Sequence, residues 1–225
     1  MPHATSSTPT LWPPSFDAAI FDFDGTLAET SGLWQQVDVE FFSQRHLPYT
    51  HDARLELTTR GFTDGAQWVI QRYGLDETPE EICDQWKRMG SALYATDVEL
   101  RPGAERYLQA LRERGVRLAL ATTNARTVLL SMQQVDVEKL FDVVVSGTEV
   151  PVPKREPDIY LEAVRRMGVE PARCIVFEDI VPGIRSARRV GMATCAVACK
   201  DPAQDFRLVA AEADLAIRDW REVMR

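Results

Sequence analysis

The sequence predicts an α/β protein: a Rossmann-like parallel sheet core with helices on both faces and an inserted small all-helical cap domain. Three observations carry that prediction. Short apolar runs of strand length recur along the chain, helical periodicities separate the later ones, and one long stretch after the first run shows helical patterns with no strand among them. At 225 residues the chain is long enough for one core domain carrying a smaller insertion.

Residues 1–16, with their Pro, Ser and Thr content, read as a flexible N-terminal tail without the basic and apolar regions of a secretory signal, so export is not expected. The first predicted strand is 18–23. Helical patterns then occupy 30–96, in "LWQQVDVEFFSQRH", "DGAQWVIQRYG" and "PEEICDQWKRMGSALYA". This block is expected to sit over the carboxyl ends of the strands, where open α/β sheets bind ligands. The core, 17–29 and 97–225, resumes with the helix "AERYLQALRERG". Strands predicted at 117–121, 141–145, 174–177 and 193–198 follow, together with the helices "EPDIYLEAVRRMG" and "VPGIRSARRVG". All three helices close on a glycine: Gly115, Gly168 and Gly191.

Composition removes several classes of function. No apolar run approaches the ~20 residues of a membrane span, and a net charge of -8 without a basic stripe argues against nucleic acid as a partner. Cys83, Cys174, Cys195 and Cys199 show no CxxC spacing and read as packing residues, which makes the cytoplasm the expected compartment. A monomer or weak homodimer is expected.

In a parallel sheet, all the carboxyl ends of the strands share one edge. Reading those ends in order gives Asp22 and Asp24 in "AIFDFDGTL", then Thr122, Thr123 and Asn124 in "LALATTN", Lys154 in "PVPKREPD", and Glu178 with Asp179 in "IVFEDIVPG". Taken singly, each has a plain structural reading. Asp-x-Asp-Gly suits a polar turn, Thr122 and Glu178–Asp179 suit helix caps, and Lys154 suits a solvated loop. Lysine is rare here, however, with four among 26 basic residues, and four carboxylates, two hydroxyls, an amide and a lysine converge on one edge. That joint order points to a site.

These motifs closely resemble those of the haloacid dehalogenase-like superfamily, in its branch with a small helical cap after the first strand. The resemblance rests on "DFDGT" at 22–26, Thr122, Lys154 and "EDIVPGIRSARRVGM" at 178–192, and spans about residues 17 to 220. Two positions depart from the family's pattern: Ile180, where relatives often carry a small polar residue, and Arg155, where proline is commoner.

The resemblance implies a phosphate monoester hydrolase acting on a small phosphorylated metabolite. Asp22 would be the nucleophile, forming an aspartyl-phosphate, and Asp24 would protonate the leaving oxygen and later activate water. Mg²⁺ would relieve the repulsion between a phosphate dianion and several carboxylates, held by Asp22, the backbone carbonyl of Asp24 and Asp179, with Glu178 a direct or more distant contributor. Lys154 would bridge Asp22 and the phosphate. Thr122 and the Thr123 N–H would hold the transferring oxygens, Gly25 would let the backbone approach closely, and Asn124 would assist.

Other activities on the same core are less well matched. A phosphosugar mutase of this branch tends to carry a histidine near the position of Trp34, and the phosphonate-cleaving relatives need an early cap lysine where this chain has only the late Lys87. Halide removal needs neither Asp24 nor a metal. A catalytically idle binding protein would be expected to lack one of the catalytic groups, and all are present. For the leaving group, the segment "LTTRGFTDGAQW" at 57–68 is the candidate loop, offering Gly61 and Gly65, Thr59, the cation of Arg60 and the aromatic face of Trp68 to a sugar or polyol phosphate.

Overall fold

A computed structural model describes residues 8–202 and 204–224. The chain enters the core through β1 (Ala18–Phe21) and then forms four consecutive helices, α1 (Ser31–Gln44), α2 (His51–Thr59), α3 (Phe62–Tyr73) and α4 (Pro79–Asp97). It continues through α5 (Ala104–Glu113), β2 (Arg117–Thr122), two short helices α6 (Arg126–Leu129) and α7 (Val137–Leu140), β3 (Val143–Ser146) and α8 (Asp158–Met167). The last elements are β4 (Cys174–Glu178), α9 (Val181–Arg189), β5 (Ala193–Val197), α10 (Phe206–Glu212) and β6 (Leu215–Ile217).

The strands form one parallel sheet in the order β3-β2-β1-β4-β5-β6. Strand order reverses beside β1, so its carboxyl end opens the crevice in which doubly wound sheets bind ligands. Alternation along the strands divides the core. Phe21, Leu118, Leu120 and Phe177 face α5, where Phe21 stacks on Phe177 with ring centroids 4.6 Å apart and both contact Trp220. Ala18, Ile20, Ala119 and Ala121 face the other way, and their short side chains leave room for Tyr160 and Ala163 of α8. Such aromatic burial supplies much of the stability of a core this size.

The inserted helices pack around Phe41, Phe42, Val69, Ile82 and Trp86, which join the same continuous apolar cluster as the α5 side of the sheet. Helix α4 starts on a capping box, with Thr78 and Glu81 exchanging bonds and Pro79 in the first turn. The two chain passages between this block and the sheet lie side by side, joined by a bridge between Ala28 and Leu100 and by the Arg101 N–H donating to Leu27 O at 2.8 Å.

Two expectations need correcting. The flexible tail does not extend over residues 8–16: Thr10 and Ser15 close a turn, Trp12 lies under Arg114, Phe16 is buried, and the Tyr107 hydroxyl donates to Leu11 O. Residues 1–7 lie outside the described residues. The segment 57–68 is not one loop, because α2 runs to Thr59 and α3 starts at Phe62, leaving Arg60 and Gly61 as the connection. Strand β6 and helix α10 were not expected: three residues are too few for a readable alternation, and seven give less than two full helical turns of periodicity. No helix among the described residues is long and apolar enough to cross a membrane.

Candidate active site

Asp22 stands one residue beyond β1, and its N–H still donates to Phe177 O of β4 at 3.0 Å, so the carboxylate is fixed where the strand order reverses. Lys154 reaches it from the loop after β3. The lysine is buried, and its Nζ donates to Asp22 Oδ1 at 2.9 Å, to Ala121 O at 3.0 Å and to Glu178 Oε1. Burial opposes its charge, but Asp22 and Glu178 more than offset this and hold its pKa well above the usual lysine range.

Glu178 accepts from four donors. Lys154 and the Tyr160 hydroxyl meet Oε1, and the N–H groups of Asp179 and Ile180 meet Oε2 at 3.0 and 3.2 Å. Its carboxylate therefore turns toward the lysine and the start of α9, although one of its oxygens lies within 4.8 Å of oxygens of Asp22 and Asp179. The tight fit depends on Gly183, where a Cβ would lie 2.5 Å from Glu178 Cδ. Gly25 plays the same part for Asp179. Its φ of +86° is in the left-handed region, and a Cβ there would lie 2.2 Å from Asp179 Oδ2.

Asp24 aims differently from Asp22. Its Oδ1 accepts from Thr30 Oγ1 at 2.6 Å and from the Tyr94 hydroxyl, while Thr122 Oγ1 and Asn124 Nδ2 approach Oδ2 at 3.4 Å each. Tyr94 in turn accepts from Trp34 Nε1 at 2.7 Å. Thr122 also receives the Asn124 N–H at 3.1 Å, and Asn124 Oδ1 receives the Ala125 N–H, which holds the turn after β2 in shape.

Asp22, Asp24, Gly25, Thr123, Asn124, Lys154 and Asp179 line one cleft between sheet and inserted helices, and Arg60 borders it too. Trp68 is not among the lining residues: it packs edge-on against Tyr73 on α3, and Trp34, Phe62 and Trp86 supply the aromatic wall instead. Arg60 is held by its own neighbours, donating to Glu56 Oε2 and to both oxygens of Asp64. Arg155, the departure from proline, spans the cleft edge from the sheet side to Glu56 and Thr59 of α2. Arg54 makes a second such tie to Asp201 at 2.6 Å.

Sequence reasoning missed Tyr94, Thr30, Tyr160, Asp38 and Arg54. Asp38 and Tyr160 carried a usable signal, each being a polar group within an apolar helical run and so in need of a buried partner. Tyr94 carried none, because its partner Asp24 is 70 residues away.

The carboxylates pose an electrostatic problem. Burial, together with Glu178 and Asp24, pushes Asp22 up to about 8 despite Lys154, and burial with Asp22 and Glu178 holds Asp179 well above the usual carboxylate range. A buried all-oxygen donor set with excess negative charge fits a hard divalent cation.

Fold and site together define a doubly wound α/β enzyme with a cluster of buried carboxylates at the carboxyl edge of its sheet. The chain belongs to the haloacid dehalogenase-like hydrolase family, whose sequence profile matches residues 16–191. It is 33% identical over 186 residues to the protein CbbY of Rhodobacter capsulatus, covering 78% of this chain and 82% of that one. It is 28% identical over 177 residues to the phosphorylated carbohydrates phosphatase of Thermotoga maritima, with the same two coverages, 78% and 82%. A crystal structure of a mutant CbbY from Rhodobacter sphaeroides in complex with xylulose-(1,5)bisphosphate superposes with a TM-score of 0.79 at 26% identity, covering 92% of this chain and 96% of that one.

Proposed function

We propose that this phosphoric monoester hydrolase cleaves a small phosphorylated metabolite, a sugar or polyol phosphate, through an aspartyl-phosphate on Asp22. The observation that carries the reading is the paired but divergent placement of Asp22 and Asp24. Lys154 holds Asp22 Oδ1, which leaves Oδ2 to attack phosphorus, while Asp24 is held apart by Thr30 and Tyr94 in position to move protons. In the first step the Asp22 O–P bond forms, the ester P–O bond breaks, and the leaving oxygen takes a proton from Asp24. In the second, Asp24 takes a proton from water as that water attacks phosphorus, and phosphate leaves with Asp22 restored.

Mg²⁺ fits the carboxylates of Asp22 and Asp179, with Glu178 beside them and bonded to Lys154; the Asp24 carbonyl would complete the set, and the ion when bound would neutralise charge on the transferring phosphoryl group. Thr123 and Asn124 border the cleft and Thr122 stands behind them, its hydroxyl 3.4 Å from Asp24 Oδ2, while Gly25 lets the loop close over Asp179. Helices α1–α4 act as a cap, which favours small substrates over macromolecules. Four unpaired cysteines suit a reducing cytoplasm, and one chain supplies every group named, so a monomer suffices. The mutase reading gains nothing from Trp34, whose indole N–H is committed to Tyr94.

The test is phosphate release from a metabolite panel with and without EDTA. Asp22→Asn should abolish release, by about a thousandfold or more, with an unchanged circular dichroism spectrum. Undiminished release from that variant, or full activity in metal-free buffer, would overturn the corresponding part of the reading.

A further inference from the structure

We propose that the cleft wall formed by Asp38, Arg54 and Asp201 reads the hydroxyl groups of a neutral polyhydroxylated leaving group and excludes a second phosphate, making the substrate a sugar or polyol monophosphate and not a bisphosphate. The inference rests on the phosphatase reading above. Among the described residues, the cations lining the cleft are Lys154, Arg54 and Arg60. Lys154 belongs to the phosphoryl end. Arg54 donates to Asp201 at 2.6 Å and toward Gln35 at 3.3 Å, and Arg60 is shared between Glu56 and Asp64.

Asp38 completes this wall. It accepts from the Tyr49 hydroxyl at 2.7 Å, and burial pushes its carboxyl up to about 6, against the Tyr49 bond and Arg54, which still leaves it charged at neutral pH. Two carboxylates, Asp38 and Asp201, thus face one arginine. A second phosphate dianion would meet these two carboxylates and would have to draw Arg54 away from Asp201. A hydroxyl both donates and accepts, so carboxylate, guanidinium and amide groups in one wall suit it. Trp86 lines the cleft and is 6% exposed. With Trp34 and Phe62 it also offers apolar faces to the C–H groups of such a substrate.

The experiment compares initial rates of the full chain on a linear hexitol monophosphate and a ketopentose bisphosphate at neutral pH. The wild type should favour the monophosphate in kcat/KM by about tenfold or more. Replacing both acids, Asp38→Asn with Asp201→Asn, should move the two substrates in opposite directions and lower that ratio by about tenfold. A wild-type preference for the bisphosphate overturns the proposal whatever the stability of the variants, and so does an unmoved ratio in a folded double variant. Wild-type hydrolysis of p-nitrophenyl phosphate keeps the two readings apart: its absence strikes the phosphatase assignment, and its presence alongside bisphosphate preference strikes this inference alone.

Discussion

Asp24 owes its aim to two residues of the inserted helices and their approach. Thr30, at the start of α1, and Tyr94, near the end of α4, both donate to the same oxygen, and Trp34 fixes the tyrosine hydroxyl from behind. A proton-transferring carboxylate works only within hydrogen-bond reach of its partner oxygen, so an error in its direction costs rate and not binding. Tyr94→Phe should therefore lower kcat by about tenfold while KM changes little. Steady-state kinetics on one good substrate would check this, and a rise in KM with kcat intact would show that Tyr94 serves binding instead. The sequence marked Asp24 as a member of the site but not what orients it, because the orienting groups arrive from opposite ends of a long insertion.

At the scale of elements, the junction of β4 and α9 carries the most constraint. Glu178 ends the strand, Gly183 lies in the first turns of the helix, and the side chain of one occupies the space a Cβ of the other would need. Gly183→Ala should push Glu178 off its four donors, destabilising the protein by about 1–3 kcal/mol and lowering kcat/KM as Lys154 loses its support. Gly32→Ala in α1 is the control. Nothing lies within 4 Å of a Cβ there, so denaturant unfolding should show no loss of stability. The sequence showed the helix "VPGIRSARRVG" following Glu178, but the contact of Gly183 with the glutamate five positions earlier follows only from the way α9 folds back onto β4.

The whole molecule carries a charge of -8 and concentrates three carboxylates at one buried point. A field of that sign draws cations in and opposes a phosphate dianion, so the cluster is stable in its charged form only when positive charge is supplied. Saturating Mg²⁺ should raise Tm by about 5–10 °C over an EDTA-treated sample, as expected for a ligand bound only by the folded state. Asp179→Asn removes part of the repulsion, since Asp179 is held well above the usual carboxylate range by burial with Asp22 and Glu178. That variant should melt no lower than the wild type in EDTA and should lose most of the Mg²⁺ response. An equal metal response in both would place the ion elsewhere.

The sequence by itself determined the α/β class, the parallel sheet with its inserted helices, and Asp22, Asp24, Thr122, Lys154, Glu178 and Asp179 as groups of one edge. Each of these lies within three residues of a strand end or, for Lys154, in the loop between β3 and α8, and strand alternation with helical periodicity is a local signal that a single chain displays. Tertiary structure decided the rest. It turned Glu178 toward Lys154, made 57–68 two helix ends joined at Arg60 and Gly61, tied Arg155 to Glu56 across the cleft, and assembled Asp38, Arg54 and Asp201 into one wall. These depend on contacts between residues far apart in the chain, such as Arg54 and Asp201 at a separation of 147. Periodicity carries no record of such pairs, because the partner of a buried charge is chosen by packing in three dimensions and not by its neighbours along the chain.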